Sequence, residues 1–60
     1  MAGKPKEAAW RVEWLRPQHG WMLAASFTLA HDSTADEALD HCRALVPFYA
    51  TATLRAVRGR

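Results

Sequence analysis

Two extended apolar segments that flank a turn constrain the fold of this chain most strongly. Residues 10–16 alternate between apolar side chains and others, and residues 21–27 form a second apolar segment. A two-residue period is typical of a β-strand with one buried face. The RPQHG sequence between the segments favours a turn, because Pro17 fixes its own φ and Gly20 readily adopts left-handed conformations. Residues 10–27 are therefore predicted to form a β-hairpin.

The length of the turn sets the register predicted for this hairpin. If residues 17–20 form the loop, Trp14 lies opposite Leu23 and Trp10 lies opposite Phe27. Because cross-strand partners share a face of the sheet, this register gives one strongly apolar face and one mixed face. The apolar face contains Trp10, Val12, Trp14, Trp21, Leu23, Ala25 and Phe27, and the mixed face contains Arg11, Glu13, Leu15, Met22, Ala24 and Ser26. We expect the apolar face, with all three tryptophans of the chain, to form the core.

A capping motif marks the start of a predicted helix. Thr34 stands three residues before Glu37, an arrangement typical of a capping box in which the two residues exchange side chain-to-backbone hydrogen bonds. Apolar side chains then recur at helical spacing. They are Ala35, Ala38, Leu39, Cys42, Leu45 and Val46. Pro47 is expected to end the helix near Val46.

The order of these elements predicts the fold class. Residues 52–57 alternate again and indicate a third strand at an edge of the sheet. Strand, strand, helix and strand together predict a single α+β domain, a ββαβ unit with a three-stranded antiparallel sheet and one helix packed on one face. The domain is expected to span residues 9–58, with residues 1–8 as a flexible N-terminal arm and residues 59–60 as a C-terminal tail.

Composition and motif spacing argue against several function classes for a chain of 60 residues. No apolar segment approaches the ~20 residues of a membrane span, and the N-terminal sequence lacks the apolar region of a signal peptide. Cys42 is the only cysteine, so we expect no internal disulfide and a reduced, cytoplasmic setting. Cys42 and the histidines fit no zinc motif, and no nucleophile motif or phosphate-binding loop is present. We therefore expect a non-catalytic protein without a metal or another cofactor.

The charge pattern along the chain favours a protein partner. The net charge is only +2, but the acidic residues concentrate in residues 32–40 and the basic residues concentrate near both ends. The exposed side of the helix is predicted to bind another protein that presents a basic surface. Its residues are Asp36, Glu37, Asp40 and Arg43. The expected function is that of a small interaction or regulatory protein.

A homodimer is a further expectation, because one short, alanine-rich helix covers little of a face that contains several aromatic side chains. Phe48 and Tyr49 are expected to cover one end of the core. The mixed face is also apolar for a surface, since it includes Leu15 and Met22. A second copy that pairs through an edge strand or through this face would cover the remainder.

Nucleic-acid binding is the alternative function. Arg11 and Arg55 are predicted to share the mixed face, and Arg58 follows in the basic C-terminal segment. Basic and aromatic side chains on an open sheet face bind single-stranded nucleic acids in several folds. However, the predicted register places the tryptophans on the covered face, away from these arginines, so base stacking would require a different register.

The segments WRVEWLRPQHGW, STADEALDHCRAL and TLRAVRG together resemble small uncharacterised ββαβ proteins of high-GC actinobacteria and their phages. The resemblance covers about residues 10–58 and rests on structural motifs. It implies an accessory factor, such as a phage protein that binds a host protein, and it transfers no functional residue to this chain.

Overall fold

The computed structural model describes residues 7–59 and confirms the ββαβ fold class. Its elements are β1 (Glu7–Arg16), β2 (Gly20–Ala30), α1 (Ala35–Leu45), a short 3-10 helix (Pro47–Thr51) and β3 (Leu54–Arg58). The strands form one antiparallel three-stranded sheet in the order β2-β1-β3. α1 packs on one face of this sheet, which we call the helix face, and leaves the opposite, outer face uncovered by any element in the described residues.

Strand β1 begins three residues before the alternating segment that predicted it. Ala8, assigned to the N-terminal arm by its sequence, is buried at the edge of the core. At the other end of the chain, the Gly59 N–H donates a hydrogen bond of 2.7 Å to the Ala9 carbonyl and extends the ladder beyond β3. The rest of the predicted arm (1–6) and residue 60 of the predicted tail lie outside the described residues.

The capping box predicted for α1 is present. The Thr34 hydroxyl accepts from the Glu37 N–H at 3.2 Å, and the Glu37 carboxylate accepts from the Thr34 N–H at 2.8 Å. These bonds satisfy backbone donors that the first helical turn otherwise leaves without partners. The helix ends at Leu45, with Val46 as its C-cap, directly before Pro47.

The core lies between α1 and the end of the hairpin that is far from the turn. Its buried side chains are Ala8, Trp10, Val12, Ala38 and Cys42. Trp10 is only 6% exposed, and its indole N–H donates to the Ser33 hydroxyl at 2.8 Å, so the polar edge of this large ring is satisfied at the margin of the core. The prediction that the tryptophans form the core is thus confirmed for Trp10.

The second half of the helix face is covered by the 3-10 helix. The rings of Phe48 and Tyr49 each lie 5.6 Å from the Trp14 ring, which remains half-buried. This arrangement agrees with the expectation that Phe48 and Tyr49 cover one end of the core. Phe48 itself stays largely exposed, because nothing in the described residues packs on its outer side.

The predicted hairpin register is wrong beyond Val12. The loop contains three residues rather than four, because the His19 N–H donates to the Arg16 carbonyl and Arg16 pairs with Gly20. Val12 pairs with Ala25 as predicted, but Glu13 pairs with Leu23, so Ala24 is left unpaired as a β-bulge. A tight turn and a bulge replace the longer loop, and they reverse the facing of the β2 residues between them.

Candidate functional site on the outer sheet face

The bulge at Ala24 places two large apolar side chains on the outer face. In the observed register Trp21 pairs with Leu15 and Leu23 pairs with Glu13, and these partners point away from α1. Met22 pairs with Trp14 instead and takes their expected place on the helix face. The expectation that all three tryptophans form the core is therefore wrong for Trp21.

These apolar side chains form an exposed patch near the turn of the hairpin. The exposed fractions are 43% for Leu15, 37% for Trp21 and 59% for Leu23. The two strands that carry them are directly paired, so the side chains are neighbours on one surface. We call this set the outer apolar patch. In the described part of the chain, no helix or loop packs on it.

An ionic cluster borders the outer apolar patch. The Glu13 carboxylate accepts a hydrogen bond of 2.7 Å from Arg55 Nε and lies 3.6 Å from Arg11 Nε. The arrangement follows from the register, since Glu13 pairs directly with Arg55 and Arg11 stands two residues earlier on the same strand. The Glu13 side chain is only 18% exposed, although both arginines are about half exposed. The cluster carries one negative and two positive groups and so has a net charge of +1.

Arg55 also links the ionic cluster to the patch. Its guanidinium lies 4.2 Å from the centre of the Trp21 ring, within the range of a cation–π interaction. Because β1 lies between the strands that carry these residues, the contact between the two side chains spans β1. The guanidinium therefore covers part of one face of the indole and donates to Glu13 at the same time.

The residues predicted for protein binding on α1 form a different surface. Asp36, Glu37 and Asp40 are exposed, and Arg43 is half-buried. The Glu37 carboxylate is already engaged by the capping box. This surface consists of charged side chains and lacks an apolar centre comparable with the outer apolar patch.

The structure brings together two of the three arginines predicted for nucleic-acid binding. Arg11 and Arg55 share the outer face, but Arg58 pairs with Trp10 and so lies on the helix face. There the Arg58 guanidinium donates to the His31 carbonyl at 2.7 Å and lies 5.9 Å from the Trp10 ring centre. Arg58 therefore ties the end of β3 to the segment after β2 and does not add to the basic group of the outer face.

One cleft lies where the end of β2 and the loop after it meet α1. An open cleft of about 270 Å³ is lined by Leu29, Ala30, Ser33, Glu37 and His41. The Ser33 hydroxyl in this cleft accepts from Trp10, and the His41 ring packs edge-on against Phe27 at 4.5 Å.

Within residues 7–59, no three histidine, cysteine or acidic side chains are grouped closely enough to hold a metal ion. No helix within the same range is long and apolar enough to cross a membrane.

Comparison with protein-family models, with curated proteins and with solved structures gives no match for this chain.

Proposed function

We propose that this protein is a non-catalytic interaction module that binds another protein through the outer face of its sheet. The observation that carries the proposal is the exposure of Leu15, Trp21 and Leu23 as one patch beside a charged cluster. Protein interfaces commonly combine an apolar, aromatic centre with a polar rim that contains arginine. The best-fitting partner presents apolar side chains flanked by carboxylates, which match the net positive charge of the cluster.

The contacts that Arg11 and Arg55 already make favour a protein over a nucleic acid as the partner. Arg55 donates to Glu13 and covers Trp21, so a phosphate would have to displace the carboxylate and a stacking base would compete with the guanidinium. Glu13 also lies close to Arg11. A carboxylate at the centre of a basic group repels phosphates, whereas a protein rim accommodates both signs of charge.

Binding of single-stranded nucleic acid is the second candidate, and the observed register supports it more than the sequence did. Trp21, Arg11 and Arg55 lie on one uncovered sheet face, which is the combination of ring and cation that single-strand binding surfaces use. The loss of Arg58 from this face reduces the number of available phosphate contacts.

Affinity capture with two matched leucine variants tests the proposal. Leu23 on the outer face and Leu45 on α1 are exposed to similar extents, 59% and 56%, so replacing either with serine perturbs folding little. Wild-type protein, Leu23→Ser and Leu45→Ser are each incubated with lysate of the source organism, with and without nuclease. We expect a discrete protein that survives nuclease, is lost with Leu23→Ser and is retained with Leu45→Ser.

Two other outcomes would overturn the proposal. A partner that is lost only with Leu45→Ser, or with an Asp36→Asn, Asp40→Asn double variant, would place the contact on α1. Recovery that disappears with nuclease would favour the second candidate.

Once a protein partner has been purified, isothermal titration calorimetry measures how much affinity each variant loses. A central apolar contact costs about 1–4 kcal/mol when it is truncated.

A further inference from the structure

The two edges of the sheet are protected to very different degrees. β3 is five residues long and contains Arg55 and Arg58, features that discourage pairing with another chain. β2 is eleven residues long and contains neither a charged residue nor a proline. An edge strand of this length and composition is a template for pairing, and in the described part of the chain no strand covers its outer side.

The hydrogen bonds to β3 establish which backbone groups of β2 point outward. Ala9 and Leu15 of β1 direct their backbone groups toward β3, because Ala9 accepts from Gly59 and Leu15 donates to Thr53. Alternate residues of a strand bond to opposite sides, so Trp10 and Val12 direct theirs toward β2. Their partners on β2, Phe27 and Ala25, therefore bond inward. Ser26 and Thr28 consequently direct their N–H and C=O groups to the open side.

Two features limit the free edge to these two residues. The bulge at Ala24 interrupts the regular strand on one side. On the other side, the Ala30 carbonyl accepts from the Ser33 N–H at 2.9 Å and is therefore already engaged. The segment between the bulge and this turn thus presents Ser26 and Thr28 as a pair of adjacent outward-facing pairing sites.

We propose that β2 pairs antiparallel with β2 of a second copy, with Ser26 of one chain opposite Thr28 of the other. A twofold axis at Phe27 produces this register and repeats the Ser26–Thr28 pair on both sides of the axis. Each pair exchanges both of its backbone hydrogen bonds. The two three-stranded sheets then form one continuous sheet, and the two outer faces become one surface.

The edge is complementary to itself in its side chains as well. On the outer face, each Ser26 hydroxyl lies beside a Thr28 hydroxyl, a favourable cross-strand pair. On the helix face, Phe27 lies opposite the other Phe27, and pairing covers rings that are only half-buried in the single chain. A 60-residue domain with a small core gains stability from such association.

The mass of the protein in solution tests this dimer. Sedimentation equilibrium of the full chain should give twice the monomer mass at high concentration and dissociation on dilution. Thr28→Pro removes an outward N–H without removing a bond to β1, so it should yield a monomer. Thr28→Val retains the N–H and should still dimerise. A wild-type protein that is monomeric at every concentration, or a folded Thr28→Pro variant that still dimerises, would overturn the proposal.

Hydrogen exchange provides a second test that does not depend on the folding of a proline variant. In the wild-type protein the Ser26 and Thr28 amides should exchange about tenfold or more slowly when the dimer is populated than after dilution. The Phe27 amide, which bonds to β1, serves as the internal control. Equal exchange rates of Ser26 and Thr28 at both concentrations would exclude this edge as the contact. Because this contact is the strand edge, its failure leaves the proposed role of the outer face unaffected.

Discussion

The guanidinium of Arg55 lies 4.2 Å from the centre of the Trp21 ring, although these residues belong to strands that are not adjacent. The contact exists because a three-residue turn and a bulge at Ala24 place Trp21 on the same face as Arg55. It joins an exposed apolar patch to a charged cluster, and this combination is the basis of the proposed binding surface.

The different positions of the tryptophans predict very different costs of truncation. Trp10→Ala should lower the free energy of unfolding by about 3–5 kcal/mol, because the ring is 6% exposed and fills the core. Trp21→Ala should cost only about 1 kcal/mol, the value of an exposed cation–π contact and some partial burial. Urea unfolding followed by circular dichroism measures both. Equal losses for the two variants would mean that Trp21 is part of the core.

The turn predicts a strong preference for glycine at one position. Gly20 has φ of +82°, and no atom lies within 4 Å of the position that a Cβ would occupy, so Gly20→Ala should be opposed only by backbone strain of about 1 kcal/mol or more. Gly59→Ala is the matched control, because a Cβ there meets Ala9 at ordinary contact distances of 3.5 Å and more. Thermal unfolding should show a lower Tm for Gly20→Ala alone. A neutral Gly20→Ala would argue against the left-handed conformation of Gly20.

Glu13 is predicted to suppress binding of nucleic acid. Glu13→Gln removes the charge that neutralises Arg11 and Arg55, so affinity for a single-stranded oligonucleotide should rise and become more dependent on salt. Fluorescence anisotropy at two salt concentrations measures this change. Asp40→Asn makes the same change in net charge on α1 and should have a smaller effect. Tight, salt-dependent binding by the wild-type protein, unchanged by Glu13→Gln, would instead support the second candidate function.

Cys42 predicts a loss of stability at alkaline pH. Burial raises the pKa of the Cys42 thiol above its ordinary value, and the nearby Arg43 charge opposes this shift only in part. Because the folded pKa is raised, its contribution to stability is complete below the free-thiol pKa and is lost as pH rises through the folded pKa. Unfolding free energies of wild type and Cys42→Ala should therefore converge as the pH rises above the pKa of a free thiol.

Reactivity of the thiol tests the burial of Cys42, on which this prediction depends. Cys42 has no exposed surface, so a thiol reagent at neutral pH should modify it only when the domain opens. The modification rate should rise with urea in parallel with unfolding. Rapid modification of the folded protein would contradict the buried position of the side chain.

Most of the fold was predictable because local signals and global packing agree. The capping box at Thr34 and Pro47 after the last turn gave the limits of α1 nearly to the residue. The alternation of Trp10 and Val12 identified a half-buried strand, and both residues are in the core. These signals depend only on neighbouring residues, so a sequence reports them directly.

The binding surface was not predictable in the same way, because it depends on a choice between two hairpin registers. A four-residue loop keeps the ladder regular, whereas a three-residue loop requires Ala24 to bulge. Both satisfy Pro17 and Gly20, and the regular ladder appeared to bury more aromatic surface. The Ala24-Ala25 pair was the available signal, since two small adjacent residues give little preference for either face. Arg55 favours the bulged register, because its guanidinium donates to Glu13 and contacts the Trp21 ring on the outer face.

The most direct test of the account is the position of Trp21 in solution, which two-dimensional NMR of the folded protein can determine. We predict nuclear Overhauser effects from the Trp21 indole protons to the Arg55 side chain and to Leu15, its cross-strand partner. Contacts from Trp21 to side chains that pack over the helix face, such as Phe48 or Tyr49, would instead indicate the regular four-residue register. In that case the outer apolar patch would not exist, and the proposed binding surface would have to be abandoned.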